Sequence, residues 1–189
     1  LDLHRVRHHD AKDIVLDFTD ESVCAHSPSL GCKGMVDKDR LVLTTEKKQC
    51  KEDAICKYSI DFAFIPETQT IVGINPKYGE KIADSILKNH LLPTLKPVKL
   101  EREKTYHDSR FDFHGFDQNN VEFYLEVKSV PLAYIEQNTA YFPDGYRKKK
   151  GDPISPRALK HLETLISIKQ NTSMRAILMF VIQRNDVQH

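Results

Sequence analysis

The sequence predicts a mixed fold, α/β in its second part and α+β overall. Short runs of β-branched and aromatic residues, separated by turn residues, fill the chain up to about Asn75. Such runs are typical of a small β-barrel or sandwich. After Asn75, two segments with apolar residues at helical spacing alternate with strand-like runs, which indicates a sheet with helices on its faces. We therefore predict a β-barrel domain over 1–75 and an α/β domain over 76–189.

The β-rich part contains five predicted strands. Their sequences are DIVLDF (13–18), ESVCAH (21–26), DRLVLTT (39–45), AICKYSIDFAFI (54–65) and TIVGIN (70–75). The loop SPSLGCKG (27–34) contains Pro28, Gly31 and Gly34, so it is predicted to be irregular. The His-rich start, LHRVRHHD (3–10), is predicted to be a solvated segment.

The second part contains two predicted helices. The first covers 78–92 and ends before a proline, after which we expect an irregular connection. The second, SPRALKHLETLISIKQ (155–170), has Ser155 as a predicted N-cap and Pro156 at its first position. Its predicted apolar stripe consists of Leu159, Leu162, Leu165, Ile166 and Lys169. The nearly unbroken apolar run MRAILMFVIQ (174–183) predicts a strand that is covered on both faces.

Composition and charge exclude several classes of protein. The 189 residues are 40% hydrophobic and 29% charged, with a formal net charge of +1, so we expect a folded chain that is not uniformly basic. No apolar run approaches the roughly 18 residues that span a bilayer, and we expect a cytoplasmic protein with no membrane partner. The four cysteines, Cys24, Cys32, Cys50 and Cys56, are predicted to be reduced. A Cys50–Cys56 disulfide and a zinc site at Cys24, His26 and Cys32 are the alternatives.

Residues 109–130 read SRFDFHGFDQNNVEFYLEVKSV and predict a β-hairpin with one acid in the middle of each strand. A three-residue turn at 118–120 would pair residue 117 with residue 121. Because side chains alternate between the two faces of a strand, this register places Asp112 opposite Glu126. The predicted apolar face, which would pack on a helix, consists of Phe111, Phe113, Phe123, Leu125 and Val127.

The two opposed acids predict a metal site. Carboxylates directly opposite each other in a sheet repel, and a divalent cation offsets the repulsion. Mg²⁺ or Mn²⁺ suits such hard oxygen ligands. Lys128 lies on the same face as Glu126, where it would hold a water molecule or a phosphate oxygen. Asp112, Glu126 and Lys128 are therefore predicted catalytic residues for metal-dependent phosphodiester hydrolysis. A plain charged face on an exposed strand is the alternative interpretation.

Several segments together resemble the sugar fermentation stimulation protein A family. Five of them agree in order and spacing, namely SRFDF (109–113), YLEVKSV (124–130), AYFPD (140–144), LKHLETL (159–165) and FVIQRND (180–186). VCAHSPSLG (23–31) resembles the family's A-H-x-P-N-T-G loop but lacks its Asn-Thr, and 71–87 resembles its V-G-x-N segment and following helix. The resemblance implies an N-terminal OB-like β-barrel, a C-terminal domain of the PD-(D/E)xK nuclease type, and DNA binding.

The resemblance also implies roles for individual residues. It implies that Asp112 and Glu126 are the metal-binding acids of the nuclease-type site and that Lys128 is its lysine. It also implies that Glu103 is a further metal ligand. The residues that would play auxiliary roles are Asp144, His161, Gln183, Arg184 and His26. Nucleic-acid contacts are predicted for Arg147, Lys148, Lys149, Lys150, Arg157, Lys160 and Arg110, because a basic run beside such a site binds phosphates without regard to sequence.

The predicted function is that of a metal-dependent nuclease that acts on DNA or RNA. The alternative is a non-catalytic DNA-binding regulatory protein on the same fold. The two opposed acids favour the nuclease. Acids close to bound nucleic acid repel its phosphate backbone, and a protein that only bound nucleic acid would have no need of them. The sequence leaves the oligomeric state open, and a homodimer is one possibility.

Overall fold

The computed structural model describes residues 2–9, 14–17, 22–27, 32, 34–48, 54–142 and 155–189. These residues have a mixed α+β fold with twelve strands, two α-helices and one short 3₁₀ helix. They belong to two compact units, the first made of Leu1–Pro76, Val130–Tyr146 and Ile182–His189 and the second of Lys77–Ser129 and Arg147–Val181. In the described part of the chain, no helix is long and apolar enough to cross a membrane. The division into domains at residue 75 stays a prediction.

Six strands form the main sheet of the first unit. They are β1 (Asp2–His9), β2 (Ile14–Asp17), β3 (Ser22–His26), β4 (Leu41–Glu46), β5 (Tyr58–Ile65) and β6 (Thr70–Gly73). Neighbouring strands follow the order β3-β2-β1-β4-β5-β6, and β3 also pairs with β5. The additional pairing is parallel, and it closes β1 to β5 into a circuit. The core of this unit includes Val6, Ala25, Val42, Ile60 and Val72.

The predicted strands of the first unit agree with β2 to β6, but the prediction for the N-terminal segment was wrong. The His-rich start forms β1, which pairs with both β2 and β4. Val6 is fully buried and His4 is 8% exposed, so the segment belongs to the core. A short two-stranded sheet, β10 (Ala133–Tyr134) with β11 (Thr139–Ala140), encloses the 3₁₀ helix Ile135–Gln137.

The second unit contains a four-stranded sheet and both α-helices. Its elements are α1 (Pro76–Lys88), β7 (Pro97–Tyr106), β8 (Ser109–Asp117), β9 (Glu122–Val130), α2 (Pro156–Asn171) and β12 (Arg175–Ile182). The strand order is β12-β9-β8-β7, so β12 is an edge strand. Phe180 and Ile182 are exposed on it, and the prediction that 174–183 forms a central strand covered on both faces was wrong. The segment predicted as an irregular connection contains the ten-residue strand β7, whose charged residues are tolerated because it lies at the edge of the sheet. Ser155 caps α2 and Pro156 begins it, as predicted.

Helix α2 buries a different set of side chains from the predicted stripe. On α2, the buried residues are His161, Leu165 and Ile168, whereas Leu159, Leu162 and Ile166 of the predicted stripe are exposed. The prediction that Phe111 and Phe113 share a face was also wrong. Phe113 packs in the cluster that contains Ala83 and Leu87 of α1, whereas Phe111 packs with Tyr124, Leu165 and Ile168.

The change of face between Phe111 and Phe113 coincides with a distortion of the neighbouring strand. In the β7–β8 register, Arg102 lies opposite Phe113 and Lys104 lies opposite Phe111, so Glu103 falls opposite Asp112. Glu103 has a φ of 54°, which is the left-handed region and is costly for a non-glycine residue. The regular alternation of side chains between the two faces of β8 therefore fails at Asp112.

Candidate active site

The hairpin that carries the two acids has the predicted register. The amide of Asp117 donates to the carbonyl of Val121 at 2.9 Å, and Asn120 closes the turn with a left-handed φ of 59°. Paired residues continue up the strands to Phe113 opposite Leu125. Continued by one residue, this register places Asp112 opposite Glu126.

The hydrogen-bond ladder between β8 and β9 is interrupted beside Asp112. Along an antiparallel ladder, hydrogen-bonded residue pairs alternate with pairs that are not hydrogen-bonded. The pair of residues 117 and 121 is hydrogen-bonded, so every second pair from there should be as well. The amide of Val127 would therefore meet the carbonyl of Phe111. Instead it donates to Asp112 Oδ2 at 2.7 Å. A side-chain carboxylate replaces the backbone acceptor, so Asp112 is held beside β9 by the backbone of the residue that follows Glu126.

Glu126 is a buried carboxylate whose two oxygens have different surroundings. The residue is 3% exposed. Its Oε1 accepts hydrogen bonds from Lys128 Nζ and from His161 Nδ1, the latter at 2.6 Å. Its Oε2 is buried and has no hydrogen-bond partner among the described residues. Because buried polar atoms are nearly always hydrogen-bonded, Oε2 is an acceptor that a water molecule or a cation can satisfy.

Asp112 has a strongly perturbed acidity. Burial is the largest cause, and with the negative charges of Glu126 and Glu80 it raises the pKa of Asp112 from 3.8 to about 6. The Val127 hydrogen bond and the charge of Lys128 act in the opposite direction. A carboxyl group whose ionisation is opposed by burial and by a second carboxylate is a favourable place for a cation.

Glu80 of α1 is an acid of this site that our sequence reasoning missed. It accepts from Arg102 Nη2 at 3.1 Å and acts electrostatically on Asp112. The helical spacing contained the necessary signal. Glu80 precedes the buried Ala83 by three residues and the buried Leu87 by seven, so it lies on the face of α1 that meets the sheet.

The comparisons with known proteins agree with the motif pattern. The family model described as "Sugar fermentation stimulation protein RE domain" matches residues 77–189. The sugar fermentation stimulation protein homolog of Clostridium novyi is 30% identical over 172 residues, which cover 88% of this chain and 67% of the relative. The chain belongs to the sugar fermentation stimulation protein family. The homolog of Clostridium perfringens is 31% identical over 180 residues, covering 92% of this chain and 69% of that protein.

A solved structure of the same family has the same fold. The structure of Pyrococcus furiosus SfsA in complex with Ca²⁺ matches with a TM-score of 0.80 at 20% identity, and the match covers 98% of this chain and 74% of that one. The resemblance to the sugar fermentation stimulation protein family, predicted from five separated motifs, is confirmed. The chain spans about two thirds of the length of the curated relatives that it matches.

The family resemblance also implies roles for other residues of the second unit, and these differ in their exposure and in their partners. Glu103 pairs with Arg110 at 3.5 Å, and both side chains are mostly exposed. Lys160 binds Asp108 at 2.7 Å on the exposed side of α2, and Arg157 is exposed near the start of that helix. Metal binding by Glu103 and phosphate binding by the basic side chains stay predictions. Asp144 and the basic run Arg147, Lys148, Lys149 and Lys150 lie outside the described residues.

Three predicted auxiliary residues belong to the first unit. Arg184 donates to both carboxylate oxygens of Asp186, at 2.6 and 2.7 Å, and to the carbonyl of Pro131 at 2.7 Å. The carbonyl of Gln183 accepts from the amide of Gly73 at 2.8 Å. His26 lies exposed at the end of β3. These contacts hold the first unit together, and a role of the three residues at the site stays a prediction.

Within the described residues, no group of three or more His, Cys, Asp and Glu side chains is arranged to hold a metal ion. The zinc alternative at Cys24, His26 and Cys32 is therefore unsupported. The acids Asp112 and Glu126 form a pair rather than a complete protein cage. Such a pair fits Mg²⁺, which is usually bound through one or two carboxylates together with water molecules and substrate phosphates.

Proposed function

We propose that this chain is a metal-dependent nuclease that hydrolyses phosphodiester bonds of DNA or RNA. The proposal depends above all on Glu126 Oε2, a buried carboxylate oxygen with no hydrogen-bond partner in the described part of the chain. A second carboxylate, Asp112, is close enough that the charge of Glu126 raises its pKa. These two acids, one of them with an unsatisfied buried oxygen, supply the hard oxygen ligands that a divalent cation such as Mg²⁺ prefers.

Asp112 and Glu126 would hold Mg²⁺ or Mn²⁺. The Ca²⁺ in the related Pyrococcus furiosus structure supports a divalent ion for this family fold. A cation bound to these acids supplies Lewis acidity toward the phosphate and lowers the pKa of a bound water molecule. Our proposal includes no other cofactor.

The remaining roles belong to side chains of the chain itself. Lys128 donates to Glu126 Oε1, and its ammonium group lies beside the acids as the positive charge that can stabilise a phosphate oxygen during hydrolysis. Burial of Glu126 excludes water, which strengthens these electrostatic interactions. Arg110, Arg157 and the basic run 147–150, which lies outside the described residues, would bind the nucleic-acid backbone away from the reacting group.

The arrangement of strands and helices supports a finer description of the fold. The pairing circuit of β1 to β5, with its parallel β3–β5 contact, is consistent with an OB-like barrel. The element order α1-β7-β8-β9-α2-β12 and the placement of the acids on neighbouring strands are consistent with a PD-(D/E)xK nuclease domain. We include both assignments in the proposal.

The test is cleavage of labelled single- and double-stranded DNA and of RNA, each in Mg²⁺, in Mn²⁺ and in EDTA. Glu126→Gln removes one ligand charge with little change in volume, so the metal-dependent rate should fall on the order of 100-fold or more. Glu122→Gln is the matched control, because Glu122 lies on the same strand and binds His114. This control should cleave like the wild type.

Two outcomes would contradict the proposed chemistry. Equal metal-dependent cleavage by the wild type and Glu126→Gln would remove the acid pair from the reaction. Nucleic-acid binding by the wild type without cleavage in either metal would instead establish the non-catalytic DNA-binding regulator as the function.

A further inference from the structure

We infer that His161 is a positioning residue, which holds Glu126 so that Oε2 is directed to the cation while Lys128 is released to the substrate. The inference rests on the proposed function, since it concerns the same acid pair. Its basis is the contact between His161 Nδ1 and Glu126 Oε1 at 2.6 Å.

His161 is fixed more firmly than an ordinary helix-surface residue. It is 5% exposed, and it shares the buried face of α2 with Leu165 and Ile168. Its ring lies 5.7 Å from the ring of Phe111, centroid to centroid. Helix packing therefore determines where Nδ1 points, and a donor fixed in this way limits the rotation of the Glu126 carboxylate.

The two donors on Oε1 differ in what they can do next. Lys128 is a flexible ammonium group, and a movement of its Nζ toward a phosphate oxygen would lengthen and weaken its hydrogen bond with Glu126 Oε1. His161 lies on a packed helix and contacts the same oxygen. Glu126 therefore keeps a hydrogen bond on Oε1 when Lys128 leaves, and its Oε2 stays available for the cation.

The experiment compares three variants by titrating Mn²⁺ into the folded protein in a calorimeter, without nucleic acid. His161→Leu keeps apolar volume but removes the donor, and loss of such a ligand-orienting hydrogen bond should weaken Mn²⁺ binding about 10- to 100-fold. His161→Asn is smaller but places an N–H close to the position of Nδ1, so it should restore most of the affinity. His114→Leu is the matched control: it removes another buried histidine of the second unit, one that lies on β8 and binds Glu122, and Mn²⁺ affinity should stay at the wild-type value.

The order of the variants in Mn²⁺ affinity shows whether His161 acts through its hydrogen bond to Glu126 or only through packing. If His161 only filled space, the Asn variant would bind Mn²⁺ worse than the Leu variant, because it leaves a cavity. That order, or an unchanged affinity in His161→Leu, would overturn the inference while leaving the proposed nuclease intact. A wild-type protein that binds no Mn²⁺ would overturn the proposed function itself, and the positioning role with it. Under saturating Mn²⁺, His161→Leu should keep a reduced kcat, because Lys128 then remains as the donor on Glu126 Oε1, and a kcat equal to that of the wild type would contradict the release of Lys128.

Discussion

Replacing Asp112 by Asn should make the metal-free protein more stable at pH 8, even though the residue is a predicted catalytic one. Burial, followed by the charge of Glu126, raises the pKa of Asp112 from 3.8 to about 6. Above pH 6 the folded protein thus contains an ionised carboxylate that water would solvate better in the unfolded chain. Asn keeps an oxygen that can accept from the amide of Val127 but carries no charge.

The magnitude follows from the two pKa values. The difference between 3.8 and about 6, at about 1.4 kcal/mol for each pKa unit, gives an upper limit of about 3 kcal/mol. Asp112 is only partly buried, and solvent screening reduces this to about 2 kcal/mol. Because the folded-state pKa is the higher one, protonated Asp112 stabilises the protein below pH 3.8, and this stability is lost as the pH rises through about 6. The advantage of Asn should therefore grow by about 1 kcal/mol between pH 5 and pH 8.

The assay is urea unfolding followed by circular dichroism at pH 5, 6, 7 and 8 in EDTA, with free energies of unfolding from linear extrapolation. Asp108→Asn is the matched control. Asp108 is exposed, and its hydrogen bond with Lys160 lowers its pKa, so the same substitution there should give no gain in stability. Added Mn²⁺ should stabilise the wild type and not Asp112→Asn. An Asp112→Asn protein that is less stable than the wild type at pH 8, or a difference that does not change with pH, would refute the reasoning.

Two other predictions concern the surroundings of the site. Replacing Lys148, Lys149 and Lys150 together with Ala should weaken nucleic-acid binding and reduce the slope of log affinity against log salt by about 2 to 3; an unchanged slope would rule out phosphate contacts by this run. Glu103→Asn should raise the free energy of unfolding by up to about 1 kcal/mol, because Asn tolerates the left-handed backbone that Glu103 adopts with φ 54°. Urea unfolding measures this change, and a loss of stability would show that the Glu103 side chain contributes more than its backbone strain costs.

The hairpin register was predictable because it depends on local information. The turn at 118–120 fixes which residues pair, and Asn120 adopts the left-handed conformation that the turn requires. The N-cap at Ser155 was predictable for the same reason, since the cap and its partner Ala158 are three residues apart. Both features bear directly on the site, because they place Glu126 and the first turn of α2.

The features that sequence reasoning missed depend on contacts between distant segments. Two helical stripes compete on α2, and the more apolar one, with Leu159 and Leu162, is the exposed one. The buried stripe begins with His161, whose Nδ1 has its partner, Glu126, on another element. The change of face at Phe111 likewise depends on the backbone of Glu103 in the neighbouring strand. The spacing of apolar residues and their secondary-structure propensities predict neither of these long-range contacts.

The structure of the acid pair itself argues against a plain charged strand face. Asp112 takes the place of a backbone acceptor in the ladder, and Glu126 is 3% exposed with one oxygen lacking a hydrogen-bond partner in the described residues. Burial of Asp112 in its charged form and the unpartnered oxygen of Glu126 both destabilise the folded chain. A ligand that binds only the folded state stabilises it by RT ln(1 + [L]/Kd) and so offsets such costs. A cation does so for both acids at once, whereas a nucleic-acid backbone alone would add a third negative charge to the site.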